Sequence, residues 1–208
     1  MINFVVNEQQ LIDIHRTFGD IKGSLETIIS SGVNSAMRAT RKESVARITD
    51  ESTLSEDRVL KAFSLSRAST QKLSGKMKCS QQPIGLIAYG ATRVLDGVAV
   101  STFRKGTPKI IRHMFIGDIK GVQHVFAREI IYKKPWKPWF PYRALPRSWR
   151  YPLKRESGPS AYGLFVMKSI IDPVVIYAGL ILADRISKAF YRYALKHPEA
   201  YSEFLDDF

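Results

Sequence analysis

The sequence predicts an α+β protein: a small antiparallel sheet of four to six strands packed by one long helix near each end. Three observations predict it. A helical stripe of apolar residues runs through the first fifty residues, and a second runs through the last forty. Between them the texture changes to short alternating segments broken by turn residues, which is the pattern of half-buried strands.

The first element is the apolar run Phe4-Val5-Val6, followed by a helical pattern at Leu11, Ile12 and Ile14. A long helix is expected from about Asp20 to Thr49. Ile21, Leu25, Ile28, Gly32, Ala36 and Ala39 recur at three- and four-residue steps, and Val45 and Ile48 resume the stripe. Arg38, Arg41, Lys42 and Arg47 fall on its other face. Ser55, followed by Glu56 and Asp57, reads as an N-cap with acidic residues in the first turn, so a short helix through Val59, Leu60 and Phe63 should begin there.

Strands follow at Phe63–Ser66 and in the region Leu73 to Cys79. The apolar run Ile84 to Tyr89 reads as another, and Asp96-Gly97 as a tight turn into Val98–Phe103. Two more candidates are Ile110 to Phe115 and Val122 to Arg128. A last one is Arg150 to Lys154, before a turn at Ser157-Gly158-Pro159-Ser160. The closing helix is expected from about Pro173 to Lys196, with Val174, Tyr177, Ile181, Asp184, Lys188 and Tyr191 along one line. These elements predict a single domain over 1–198, with an acidic tail over 199–208.

The chain carries 32 Lys+Arg against 19 Asp+Glu, a net charge of +13. That balance points to an acidic partner: nucleic acid, an anionic membrane or an acidic protein surface. The basic residues are spread along the chain, so an ordinary solvated basic surface accounts for them equally well. Cys79 is the one cysteine, which excludes an intrachain disulfide and a thiolate metal cluster from one chain, and fits synthesis in a reducing cytoplasm. The N-terminus has no basic n-region, and the uninterrupted apolar run Val174 to Ala183 is far below the ~20 residues a membrane span needs, so a soluble protein without a signal peptide is expected.

Residues 133–150 have a chemistry of their own. Four prolines exclude a helix interior or a central strand, and all three tryptophans of the chain lie among lysines and arginines. The segment reads as a docking arm, with Trp136, Trp139, Phe140 and Trp149 as anchors and Lys133, Lys134, Lys137, Arg143 and Arg147 around them. Stacking platforms for nucleic acid, or a loop that buries its tryptophans against its own domain, are the alternatives. Phe204 and Phe208, in the acidic tail, are candidate contacts for such an arm on a neighbouring copy.

No catalytic constellation emerges. His15, His113, His124 and His197 lack ligand spacing, although two histidines eleven residues apart on neighbouring strands could meet. Phosphate-loop, nucleophile-elbow and zinc-protease motifs are all missing. Carboxylates are sparse in the strand region, namely Asp96, Asp118 and Glu129, and Asp96 is explained by its turn. The expectation is a non-enzyme without cofactor or metal.

The order of features resembles the phage minor tail protein Z family of tail completion proteins. Four segments carry the likeness: the basic helix Gly32–Ile48 with its apolar-Asn pair Val33-Asn34, the stretch Ser55–Ser69 leading into Ser64-Leu65-Ser66-Arg67-Ala68-Ser69, the strand block from Pro83 to Arg128, and Tyr151–Ser160 before the last helix. The strand block, with Pro83–Ala91, Gly97–Val100 and Arg104-Lys105-Gly106, is the most specific of them. Together they span roughly residues 20–195. The insertion from Lys133 to Arg150 and the acidic tail have no counterpart in the family pattern.

The resemblance implies a structural virion protein of a long-tailed phage, made in the host cytoplasm and located at the head-proximal end of the tail. It implies a homo-oligomer, a ring matching the tail's sixfold symmetry, with the tail terminator and head–tail connector as neighbours. Contact with the genome end or the tape measure is a further implied partner, and a nucleic-acid-binding module is the alternative function. A ring needs heterologous contacts, hence two different surfaces per protomer. Arg38, Arg41 and Lys42 on the long helix, the arm, and the acidic aromatic tail are the candidates for them.

Overall fold

The computed structural model describes residues 2–4, 22–128 and 153–196. The architecture is α+β, with antiparallel strands and a long helix toward each end of the chain. The chain divides into two compact units, Met1–Ile48 with Glu56–Gln81 and Ala161–Phe208, and Thr49–Ser55 with Gln82–Ser160.

In the first unit, helix α1 spans Lys22–Glu51, its final residues counting with the second unit. Its buried side is wider than the predicted stripe. Ile28, Ala36, Val45 and Ile48 are buried as expected, but Ile29, Val33 and Met37 are buried with them, while Ala39 is only half-buried. A helix that packs on both a sheet and a second helix needs more than one line of apolar contacts. Leu25 keeps its place in the helix backbone, but its side chain lies outside the described residues.

Helix α2, Glu56–Ala62, begins directly after Ser55 with Glu56 and Asp57 in its first turn. Strands β1 (Ile2–Phe4), β2 (Phe63–Ser66) and β3 (Gly75–Cys79) form one antiparallel sheet in the order β1-β3-β2. Val33 and Met37 of α1 lie over the backbone of β3 at Gly75, where a Cβ would collide with the Met37 thioether. Helix α3, Ala161–Phe165, brings Phe165 edge-on to Phe63, with ring centroids 5.5 Å apart. Helix α4, Lys168–Lys196, packs on α1, where Gly32 lets Ile186 come close.

Helix α4 starts five residues before the predicted Pro173, which sits inside the helix. The backbone N–H groups of Ile170 and Ile171 donate to the Met167 carbonyl at 2.9 Å, so the helix is already under way there. Pro173, the sixth residue of the helix, removes one donor from its ladder, and the helix continues through it.

The second unit is not part of one continuous sheet. Its strands form three small antiparallel sheets: β4 (Pro83–Gly85) with β11 (Ser157–Ser160); β5 (Thr92–Val94), β6 (Gly97–Val100) and β7 (Lys109–Arg112); and β8 (Met114–Ile119), β9 (Val122–Arg128) and β10 (Leu153–Arg155). The unit buries its own apolar set, including Leu54, Ile84, Tyr89, Val98, Val125 and Phe126.

Three local expectations are corrected. The apolar run Ile84–Tyr89 is not one strand; after β4 it coils into a 3-10 turn over Leu86–Tyr89, closed by Gly90 in the left-handed region. A short apolar run does not by itself distinguish strand from helix. The hairpin between β5 and β6 turns on Leu95-Asp96, with Val94 opposite Gly97. Gly97, at φ 154°, is the first residue of the returning strand, and a Cβ there would strike the Ile111 carbonyl. The predicted strand Ile110–Phe115 is split at His113, whose φ of 64° ends β7 and starts β8.

The segment Ser157–Ser160, read as a turn, is strand β11 with a register shift between Gly158 and Ser160. The reason is Tyr89. Its ring presses on Gly158 so closely that a Cβ there would lie 2.7 Å from Cε2, and its hydroxyl donates to the Pro159 carbonyl at 2.6 Å. A strand glycine that allows such an approach, with a proline at an irregularity, resembles a turn when read from sequence.

Candidate partner-binding surfaces

The three helix cations expected to face a partner do not form one set. Arg38 and Lys42 are exposed one turn apart on α1. Like charges at this spacing repel by a few tenths of a kcal/mol, which an acidic partner would relieve. Arg41 is half-buried, and its Nη2 donates to the Leu60 carbonyl at 2.8 Å. Its guanidinium ties α1 to the end of α2 through that one bond, so Arg41 is less free to face a partner than Arg38 and Lys42. Arg47, on the same helix, is paired with Glu43 at 2.7 Å.

A basic surface the sequence reading missed lies on the outward face of the β1-β3-β2 sheet. Gly75 and Met77 are buried, so Lys76 and Lys78 point away from the core and are exposed. The antiparallel register sets Lys76 against Ser66 and Lys78 against Ser64, both exposed. Cross-strand neighbours of this kind stand about 5 Å apart at Cβ. The result is two ammonium groups and two hydroxyls on one face, a donor-rich surface suited to phosphate or carboxylate oxygens. The signal was in the sequence, in the strict alternation of Gly75-Lys76-Met77-Lys78, which fixes both lysines to one side.

A second missed surface is apolar. On α4, Ile170, Val174 and Ala178 are buried, whereas Val175, Ile176, Leu180, Tyr191 and Leu195 are more than half exposed. Tyr191, placed in sequence on the same line as Val174, is among the exposed ones. Over residues 174–183 the helix is apolar on all sides, and periodicity alone does not then assign a buried face.

The remaining predicted contacts lie outside the described residues: Lys133, Lys134, Trp136, Lys137, Trp139, Phe140, Arg143, Arg147 and Trp149 of the arm, and Phe204 and Phe208 of the tail. The conjectured histidine pair does not meet as cross-strand neighbours. His124 stands opposite Gly117 in the β8–β9 ladder, and His113 precedes that ladder. His124 packs edge-on to the Phe126 ring. Asp118 accepts from the Gly121 N–H at 2.7 Å and so serves the hairpin turn. Burial pushes the Cys79 thiol up to about 11, which keeps it protonated at neutral pH and a poor nucleophile. Among the described residues, no group of three or more His, Cys, Asp or Glu is placed to hold a metal ion, and no helix is long and apolar enough to cross a membrane.

Two segments singled out by their family likeness touch directly. Asn34 of α1 grips the backbone of Ala68 at both ends, its Nδ2 donating to the carbonyl and its Oδ1 accepting from the N–H, each at 2.9 Å. Neither a family model, a curated protein nor a solved structure matches this chain.

Proposed function

We propose that this chain is a non-catalytic virion component, a tail completion protein that forms a ring at the head-proximal end of a phage tail. The observation that carries the reading is the shared order of four segments along residues 20–195. An α+β build with a long helix toward each end is what that likeness implies, and it supports the reading. The Asn34–Ala68 clamp adds support, because it gives two of the four segments a physical reason to occur together. In this reading the exposed cations Arg38 and Lys42 meet an acidic surface on a ring neighbour, the tail terminator or the connector.

The test is complementation in vitro. Particles assembled without this protein should accumulate as separate heads and tails, and adding the purified chain should restore joined, infectious particles. Heads and tails that join equally well without it would overturn the proposal.

One observation favours a second reading, that of a nucleic-acid-binding module. Lys76 and Lys78 beside Ser64 and Ser66 form a face suited to a phosphate backbone. Phosphate binding of that kind weakens steeply as salt rises, because counterions are released on binding. A DNA affinity that falls with added salt and loses part of its salt slope in Lys76→Ala/Lys78→Ala would favour this reading; no measurable affinity at low salt would remove it.

A further inference from the structure

We propose that the outward face of helix α4 is a docking surface for the same face of a second copy of this chain. The inference rests on the helix alone and not on the virion reading above.

The exposed side of α4 carries Asp172, Ile176 and Leu180 at four-residue steps, with Gly179, Ala183 and Ser187 at four-residue steps beside them. Leu180 is 69% exposed and Ile176 65%. Gly179 and Ala183 are exposed with them, and a Cβ added at Gly179 would meet nothing within 4 Å. Ile176 and Leu180, one turn apart, form a continuous apolar strip with the small residues beside them, and contiguous exposed apolar surface is what docking faces are built on.

What selects a second copy as the occupant is the order of sizes along this face. Residues 172, 176 and 180 form one row one turn apart, and they are Asp, Ile and Leu. Residues 179, 183 and 187 form the adjacent row, and they are Gly, Ala and Ser. Two copies packed antiparallel about a twofold axis between Gly179 and Leu180 bring these rows into matching layers. Leu180 of each copy then lies level with Gly179 of the other, Ile176 with Ala183, and Asp172 with Ser187, whose hydroxyl donates to the carboxylate. Every layer holds one large and one small residue, so the two helices approach closely without voids. The same patch serves both copies, as an isologous contact requires.

The contact closes at two copies and does not by itself build a ring. A single helix pair falls near or below the roughly 1,200 Å² at which stable interfaces begin, so the dimer is weak and depends on concentration.

The test is the mass of the full-length chain in solution, followed by sedimentation from low-micromolar to near-millimolar loading. The wild type should pass from monomer to dimer. Gly179→Leu should remain monomeric with its helical circular dichroism and melting temperature undiminished, because the added side chain meets open space in the monomer and blocks Leu180 of the partner. Gly179→Leu/Leu180→Gly exchanges the large and small residues of the central layer and should recover the dimer. A wild type that stays monomeric throughout overturns the proposal, as does a Gly179→Leu variant that associates as the wild type does. Association that continues past two copies and is insensitive to Gly179→Leu belongs to another surface, and also counts against it.

Discussion

The two units of this chain hold themselves together in different ways. The first is built on apolar burial by long helices: Ile29, Val33, Met37 and Ile48 of α1 and Ile170 and Val174 of α4 are almost wholly removed from water. The second has strands in sheets of two or three around a smaller buried apolar set, and polar side chains tie its segments to backbone carbonyls. The Tyr89 hydroxyl binds the Pro159 carbonyl at 2.6 Å. Thr53 Oγ1 donates to the Ser101 carbonyl at 2.6 Å, and Arg104 Nε to the Ser52 carbonyl at 3.1 Å. A two-stranded sheet is at best marginal by itself, and directed bonds such as these add to what packing supplies. The lesson is that the first unit should be sensitive to buried charge, and the second to the loss of single contacts.

The largest effect is expected in the first unit. Val33→Asp places a carboxylate between α1 and β3 with no counter-charge, at a cost of several kcal/mol. It should abolish the cooperative melt of that unit in circular dichroism, whereas Arg38→Asp, on the exposed side, should melt within a few degrees of the wild type.

Next comes Gly158→Ala, whose Cβ would press on the Tyr89 ring at 2.7 Å. A destabilisation of about 1–3 kcal/mol is expected, the usual cost of overpacking, read from the denaturant midpoint. An unchanged midpoint would mean that the Tyr89–Gly158 contact does not constrain the second unit.

Tyr89→Phe should cost slightly less, about 1–2 kcal/mol for one hydrogen bond whose acceptor is left unpaired. It also carries a pH signature. Burial raises the Tyr89 phenol from its ordinary value of 10.0 to about 12, because the phenolate is disfavoured inside. The folded state therefore holds its proton longer than the unfolded state. That contribution is fully present below about pH 10 and is lost as the pH climbs through about 12. Stability of the wild type should fall across this interval, and the fall should be shallower in Tyr89→Phe.

The smallest of these effects separates two neighbouring arginines. Arg41→Ala removes a bond to the Leu60 carbonyl and should cost about 0.5–1.5 kcal/mol. Arg38→Ala should cost less than about 0.5 kcal/mol. Equal melting temperatures for the two would return Arg41 to the free basic face.

Much of the secondary structure was legible in the sequence, whereas the division into two units was not. Helix α1, the end of α4, the start of α2 after Ser55, and β2, β3 and β9 fall where the residue pattern predicts them, because hydrophobic periodicity reports burial. The small sheets were not legible as separate, since strand patterns state which face is buried but not which strand is the neighbour. Strand β11 was missed for a tertiary reason: Gly158 and Pro159 carry turn chemistry, and their role is to receive Tyr89, 70 positions away. Among the candidate surface residues, Arg38 and Lys42 were placed correctly as exposed. Arg41, read as equally free, is half-buried, with one donor on the Leu60 carbonyl of another helix. Lys76 and Lys78 were overlooked although their alternation with Gly75 and Met77 was there to read.

The measurement that tests the two-unit account most directly is amide hydrogen exchange, resolved by peptide, on the wild type, Val33→Ala and Tyr89→Phe. Locally cooperative units lose protection together. The account predicts that Val33→Ala speeds exchange in peptides from residues 22–48, 56–81 and 161–196, while Tyr89→Phe speeds it in peptides from residues 49–55, 82–128 and 153–160. Exchange that rises uniformly through both sets in either variant would contradict it, and would mean that the chain stands or falls as one core.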